Sequence, residues 1–279
     1  MDTPTPSPAG TSARPGLAPV SLHLLLADDN EMNQDAGRRI LERRGHTVVI
    51  AANGLEVLAR LEKEKFDLVL MDMQMPDMDG LTATARIREN EKASGAHLLI
   101  VAMTSNAMSG DRERCLEGGM DGYVSKPVNR KELFDTIEGL TATQRPASAA
   151  PPVAPPPPPP AAAAHTKPLI DRAELMENLG DDHDLLVQLA ATFHATGPKL
   201  LGDLRAAFAA GDAPGVEQWS HKLAGKFGVF FAHDAVKAAR ELEGLARAGN
   251  LAAAAPSLAR LETHSAAFTA ALKDLTLAR

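Results

Sequence analysis

Residues 21–141 are predicted to form a doubly wound α/β domain, and residues 169–279 an all-α antiparallel helical bundle. Three observations carry this prediction. In the first block, strand-sized apolar runs alternate five times with stretches of helical periodicity, which calls for a parallel sheet with helices on both faces. The second block is rich in Ala and Leu and has no strand-like alternation. Between them, ten of the 20 prolines fall in TATQRPASAAPPVAPPPPPPAAAAHTKP, residues 141–168. That stretch cannot bury enough apolar surface to offset its ordering entropy, so 142–168 is expected to be a semi-rigid linker.

In chain order, residues 1–20 hold five prolines and no apolar core segment, so they read as a disordered tail and not a secretory leader. Strands are expected at 22–27, 47–51, 66–71, 98–103 and, more weakly, 122–125. Helices are expected between and after them at 32–44, 55–65, 81–90, 111–117 and 130–140. In the bundle the expected helices are 171–179, 184–211 with a bend allowed at Gly197–Pro198, 213–227, 232–249 and 251–277. Apolar residues such as Leu185, Leu189 and Phe193 recur there at helical spacing, and Gly211 and Gly249 mark helix ends.

Composition excludes several classes. The chain carries 29 Lys+Arg against 36 Asp+Glu, a net charge of −7, which argues against a nucleic-acid binder that neutralises phosphates. The one cysteine, Cys115, cannot form an internal disulfide, no Cys/His spacing suits zinc, and a packing role is expected for it. Apolar runs are far shorter than the roughly 20 residues of a membrane helix, so a cytoplasmic location is expected.

In doubly wound folds, reactive groups gather at the carboxyl ends of the strands. There the sequence places Asp28-Asp29, Asp72, Thr104 and Lys126-Pro127. Each is an ordinary loop element alone, but together they are not readily dismissed. Carboxylates converging on one edge repel unless a cation joins them, and oxygen ligands of this kind suit Mg²⁺ with phosphate oxygens. A lysine and a hydroxyl nearby suit the remaining phosphoryl oxygens.

LLLADDNEMNQ, DLVLMDMQMPDMDGL, IVAMTSNAM and GYVSKPV resemble the successive signature segments of the receiver domain of two-component response regulators, a flavodoxin-like fold. The resemblance implies that Asp72 is the phospho-acceptor, attacking the phosphorus of a phosphohistidine. It implies that Asp28, Asp29 and Asp72, with the backbone carbonyl of Gln74, hold Mg²⁺. Thr104 and Lys126 are then expected on the phosphoryl oxygens, with the small Ser105 leaving room for the donor. Tyr123 reads either as an aromatic switch that follows Thr104 or as a cap on the sheet edge. Pro76 and Gly80 make the loop after Asp72 turn sharply into the next helix.

The bundle has one chemical oddity, WSHKLAGKFG. Gly225 lies one helical turn after His221, and glycine inside a helix costs about 1 kcal/mol relative to alanine. A missing side chain there lets a phosphoryl group or a facing domain approach the imidazole. The other eight histidines read as solvated or packed. SHKLAGKFGVFF, with ARELEGLARAGNLAAAAPSLARLE after it, resembles the phosphorylatable-histidine motif and last helices of histidine phosphotransfer (HPt) domains. The sequence departs from that pattern at Ala224, where the family often has lysine, and Lys222 or Lys226 is expected to replace part of the charge. Gln218, one turn before His221, is a candidate partner for the ring or the phosphate.

These resemblances imply a phosphorelay intermediate without a kinase domain and therefore no ATP-dependent kinase activity. Asp72 accepts from a sensor histidine kinase, and His221 carries phosphate between aspartates, onward to a downstream response regulator receiver. No nucleic-acid or membrane partner is expected. The competing reading is a phosphorylation-controlled interaction module whose bundle only docks a partner or dimerises. The six-proline run 155–160 stiffens the tether, so Asp72 and His221 are expected to meet within one chain in a minority of conformations.

Overall fold

The structure, a computed structural model, describes residues 20–104, 109–143 and 169–277. Ser105, the expected tail but for its last residue, and the expected linker beyond Thr143 lie outside the described residues.

The first domain is the doubly wound sheet. Strands β1 (His23–Ala27), β2 (Thr47–Ala51), β3 (Leu68–Asp72), β4 (Leu99–Thr104) and β5 (Gly122–Ser125) are all parallel, in the order β2-β1-β3-β4-β5. Their side chains alternate between two cores, as the period of two requires. Leu25, Val69, Met71 and Ile100 face one side, and Leu24, Leu68, Leu70 and Val101 face the other. Both faces are covered by helices α1 (Glu31–Arg44), α2 (Gly54–Leu61), α3 (Gly80–Ser94), α4 (Ser109–Glu117) and α5 (Arg130–Thr143), which explains why the strands read as continuous apolar runs. Local chemistry starts these helices. The side chains of Asn30, Asn53 and Asp79 accept from backbone N–H groups in the first turns of α1, α2 and α3.

Boundaries moved where side-chain packing overrode the apolar pattern. Strand β3 begins at Leu68 and not at 66, because Phe66 leaves the ladder to stack on His23 at 4.6 Å. Strands β3 and β4 each extend one residue further, so Asp72 and Thr104 are themselves strand residues. Helix α2 stops at Leu61, short of the expected 65. Cys115 is buried, with Sγ 3.7 Å from Met73 Sδ, in the packing role expected of it.

The second unit is all helical: α6 (Arg172–Leu179), α7 (His183–Ala210), α8 (Ala213–Val229), α9 (His233–Arg247) and α10 (Ala255–Leu277). Helix α7 continues through Pro198, and a 3₁₀ turn at Leu251–Ala253 precedes α10 where one helix was expected. At the centre, Phe268 meets Phe193, Phe227 and Phe230 with ring centroids 4.8, 5.3 and 5.3 Å apart. This core does not end at the domain boundary. Met32 and Ala36 of α1 belong to the bundle's cluster, so the two domains share apolar surface. Among the described residues no helix is long and apolar enough to cross a membrane.

Phe268→Ala should remove the ring that holds the other three together and lower the stability of the bundle by about 3–5 kcal/mol. Urea unfolding followed by far-UV circular dichroism measures this, and a loss below 1 kcal/mol would contradict the packing described.

Candidate functional site

Strand register brings the first half of the site together. Ala27 pairs with Met71, and Thr104 pairs with Ser125. Asp28, Asp72, Thr104 and Lys126 therefore share one edge of the sheet. Lys126 Nζ lies 2.7 Å from Asp28 Oδ2 and 2.6 Å from Asp72 Oδ2. Asp28 also accepts from the Asn30 amide and from Asn33 Nδ2. The backbone amide of Gln74 donates to Asp72 Oδ1 at 3.2 Å. Gly80 is required behind this edge, because a Cβ there would lie 2.3 Å from the Asp72 carbonyl oxygen.

The electrostatics follow from burial. Asp72 is 1% exposed. Desolvation, together with the like charge of Asp28, pushes its carboxyl up to about 6 against the pull of Lys126 and His221. Burial also works against the Lys126 ammonium, but the two carboxylates outweigh it and raise its pKa.

The second half of the site comes from the bundle. His221 Nδ1 lies 3.2 Å from Glu243 Oε1 and 3.1 Å from Arg240 Nη1. Glu243 also accepts from Arg240 at 2.7 Å and from Arg247 at 2.8 Å. Its carboxylate is 4% exposed. Burial alone would raise its pKa, but the hydrogen bond from His221 and the charge of Arg240 hold it down at about 2.

The two halves face each other. Asp29, Asp72 and His221 each present one side-chain ligand atom, all within 4.8 Å of one another. Around them, Lys222 Nζ lies 3.3 Å from Asp29 Oδ2, and Gln74 Nε2 donates to Glu243 Oε1 at 3.0 Å. A Cβ at Gly225 would fall 2.8 Å from Asn30 Nδ2, so the missing side chain admits the facing domain. Gly228 meets only ordinary contact, from Pro127 at 3.7 Å. A cleft beside the facing pair is lined by Asp29, Gln74, Thr104, Gln218, His221 and Arg247, among others.

Most of the residues singled out in the sequence meet here, with adjustments. Asp28 is taken up by Asn30, Asn33 and Lys126, and the converging carboxylates are Asp29 and Asp72. Gln218 lines the cleft, but the ring nitrogen Nδ1 is engaged by Glu243 and Arg240. Lys226 is buried, and that burial lowers its pKa while Glu31 opposes the shift. Tyr123 stands half-buried on β5 with the Arg112 guanidinium 5.6 Å from its ring centre. Sequence reasoning missed Arg240, Glu243 and Arg247. Their spacing in RELEGLAR puts three charges on one helix face, a signal that reads as a solvated stripe until His221 is seen against it.

Comparison with known proteins identifies the two parts of the chain. The family model described as "Response regulator receiver domain" matches residues 24–138, and that described as "Hpt domain" matches 188–275. The polar-differentiation response regulator DivK of Brucella anthropi is 34% identical over 115 residues, covering 41% of this chain and 92% of that protein. The chain belongs to the response regulator receiver family. Its second part is an Hpt domain, and the two together make a phosphorelay module. Hybrid signal transduction histidine kinase I of Dictyostelium discoideum is 44% identical over 119 residues, covering 41% of this chain and 7% of that protein. The chain spans no more than 15% of the length of the first such kinases it matches. Among solved structures, a Saccharomyces cerevisiae co-crystal of the phosphotransfer protein Ypd1 with the receiver domain of Ssk1 matches at 29% identity and a TM-score of 0.43, over 44% of this chain and 91% of that one. A receiver domain of a Pseudomonas aeruginosa sensor histidine kinase, with a magnesium ion coordinated in its active site cleft, matches at 35% identity and a TM-score of 0.40, over 44% of this chain and 99% of that one.

The low pKa of Glu243 has a consequence for stability. A depressed carboxylate contributes stability above its unfolded value of 4.5, and the contribution is lost as pH falls toward about 2. Glu243→Gln should remove on the order of 3 kcal/mol at pH 7 and flatten the dependence between pH 4.5 and 2 relative to wild type. Urea titrations across that window test it, and parallel curves for the two proteins would contradict it.

Proposed function

We propose that this receiver–HPt chain passes a phosphoryl group between Asp72 and His221 within one molecule, receiving it from a sensor histidine kinase and exchanging it with a further receiver. The proposal divides the chain into a receiver at 21–141, a linker at 142–168 and an HPt bundle at 169–279. The observation that carries it is the facing of Asp72 and His221, whose ligand atoms lie within 4.8 Å across the domain boundary.

An Asp72 carboxylate oxygen attacks phosphorus as the N–P bond of the donor phosphohistidine breaks. His221 then attacks the same phosphorus in line, and Asp72 leaves as a carboxylate beside Lys126. The nucleophile on His221 must be a nitrogen lone pair. Two groups compete at Nδ1: Arg240, a donor, and Glu243, an acceptor. Because Glu243 is held ionised, a proton on Nδ1 is favoured, and that tautomer leaves the lone pair on Nε2. Glu243 thereby orients the ring, while Arg240 and Arg247 hold Glu243 in turn.

With His221 reserved for the phosphoryl group, the oxygen donors that remain, the Asp29 and Asp72 carboxylates and the Gln74 carbonyl, are of the kind that suits Mg²⁺. Asp29 and Asp72, with the Gln74 carbonyl, would hold the ion, and Asp28 supports them through Lys126. When bound, the ion neutralises charge on the phosphoryl oxygens. Thr104 and Lys126 are suited to the remaining oxygens, Tyr123 to a switch coupled to Thr104, and Lys222 and Lys226 to the charge that Ala224 does not provide.

Asp72→Asn should lower phosphoryl uptake from a phosphorylated kinase on the order of 10³-fold or more, since the amide has no anionic oxygen to attack with. His221→Gln should leave uptake on Asp72 but abolish acid-labile, base-stable label. The wild-type Asp72-to-His221 rate should be independent of protein concentration. Label reaching histidine between Asp72→Asn and His221→Gln chains as fast as within wild type, at dilute protein, would exclude the internal step. A chelator should stop uptake on Asp72, and unchanged uptake would remove Mg²⁺ from the proposal.

A further inference from the structure

The domains are also joined through contacts that involve neither member of the reacting pair. The corner between α6 and α7, residues 178–182, lies outside both family matches, which end at 138 and resume at 188. It nevertheless touches the receiver at two elements. Asn178 Oδ1 accepts from the Arg130 amide at the start of α5, at 2.8 Å. The Asp182 carboxylate accepts from Arg39 Nε at 2.8 Å and pairs with Arg43 Nη1 at 2.8 Å. Arg39 and Arg43 stand one turn apart on α1, so both guanidiniums reach one carboxylate.

Asp182 is not there only to start its helix. It does cap α7, accepting from the Leu185 amide. A cap on a free surface needs no further cations, yet this side chain is only 7% exposed and both of its cationic partners belong to the other domain. The arginines are 40% and 50% exposed, so each pair by itself is worth little. Two on one desolvated acceptor, backed by the Asn178 hydrogen bond, give the contact both strength and register.

We propose that the 178–182 corner is a recognition surface that seats the bundle on a receiver carrying two basic residues one turn apart on its first helix, here the chain's own. Asp182 thereby becomes a specificity-determining residue for the partner of His221. Its part in docking does not depend on phosphoryl transfer; its part in selecting the partner rests on the function proposed above.

Small-angle X-ray scattering of the full chain, unphosphorylated, reads docking directly. Wild type should be compact at about 50 mM NaCl and expand as salt screens the exposed pairs. Asp182→Asn keeps a side-chain acceptor for the cap but removes the charge. It should shift the docking equilibrium toward the open form about fivefold to tenfold, as should Arg39→Ala/Arg43→Ala, with no change in the thermal melting of either domain. The two sets combined should be no worse than either alone, because they remove the same contact. The internal Asp72-to-His221 rate should fall in proportion to the docked fraction that scattering reads in the same salt, most at salt concentrations where wild type is itself partly open. An Asp182→Asn chain as compact and as fast as wild type would overturn the proposal. So would additive effects, which would mean that Asp182 acts through its own helix. A wild-type chain that never labels His221 would defeat the transfer reading, yet the scattering cycle would still decide docking by the corner.

Discussion

The close approach of helix α8 to the first turn of α1 is the constraint from which the rest of the site follows. Residue 225 is glycine, and Asn30 Nδ2 occupies space that any Cβ would take. Asn30 belongs to both arguments. It caps α1 with its Oδ1, its amide donates to Asp28, and its Nδ2 reaches the Lys222 carbonyl at 3.5 Å. The loop that arranges the acidic edge is thus also the loop on which the bundle sits. Met32 and Ala36, further along α1, complete the contact by joining the bundle's apolar core.

Charge is organised across this boundary as a continuous chain. Lys126 bridges Asp28 and Asp72, Gln74 links Asp72 to Glu243, and Glu243 holds His221 and two arginines. On the receiver edge, burial and the like charge of Asp28 raise the Asp72 carboxyl against the pull of Lys126, and the bundle brings Lys222 to Asp29. In the transfer proposed above, donors for the phosphoryl oxygens would thus be fixed before the group arrives.

The proline run of the linker suggests a stiff tether and a facing geometry adopted by a minority of conformations, and the structure describes that one facing arrangement. The contacts that hold it are ones that the linker sequence does not report. Arg39 and Arg43 against Asp182, Arg130 against Asn178, and the shared apolar surface of α1 all pair residues more than 45 positions apart.

Strand runs, helix periodicity and the four edge motifs made the doubly wound domain and its acidic edge legible in the sequence, because each depends on local periodicity or on a strand end. His221 and Gly225 were legible for the same reason, as an anomaly within one helix. Glu243, Arg240 and Arg247 were not, since a charged stripe on α9 looks the same whether it faces water or an imidazole on α8. Nor was the displacement of Phe66 from β3 by its stacking on His23, which needs a neighbouring strand. The sequence by itself determined which polar and charged groups stand at the strand ends and on the histidine's helix. Only the tertiary structure decided which of them meet, because burial, register and charge pairing between distant helices are properties of packing and not of spacing along the chain.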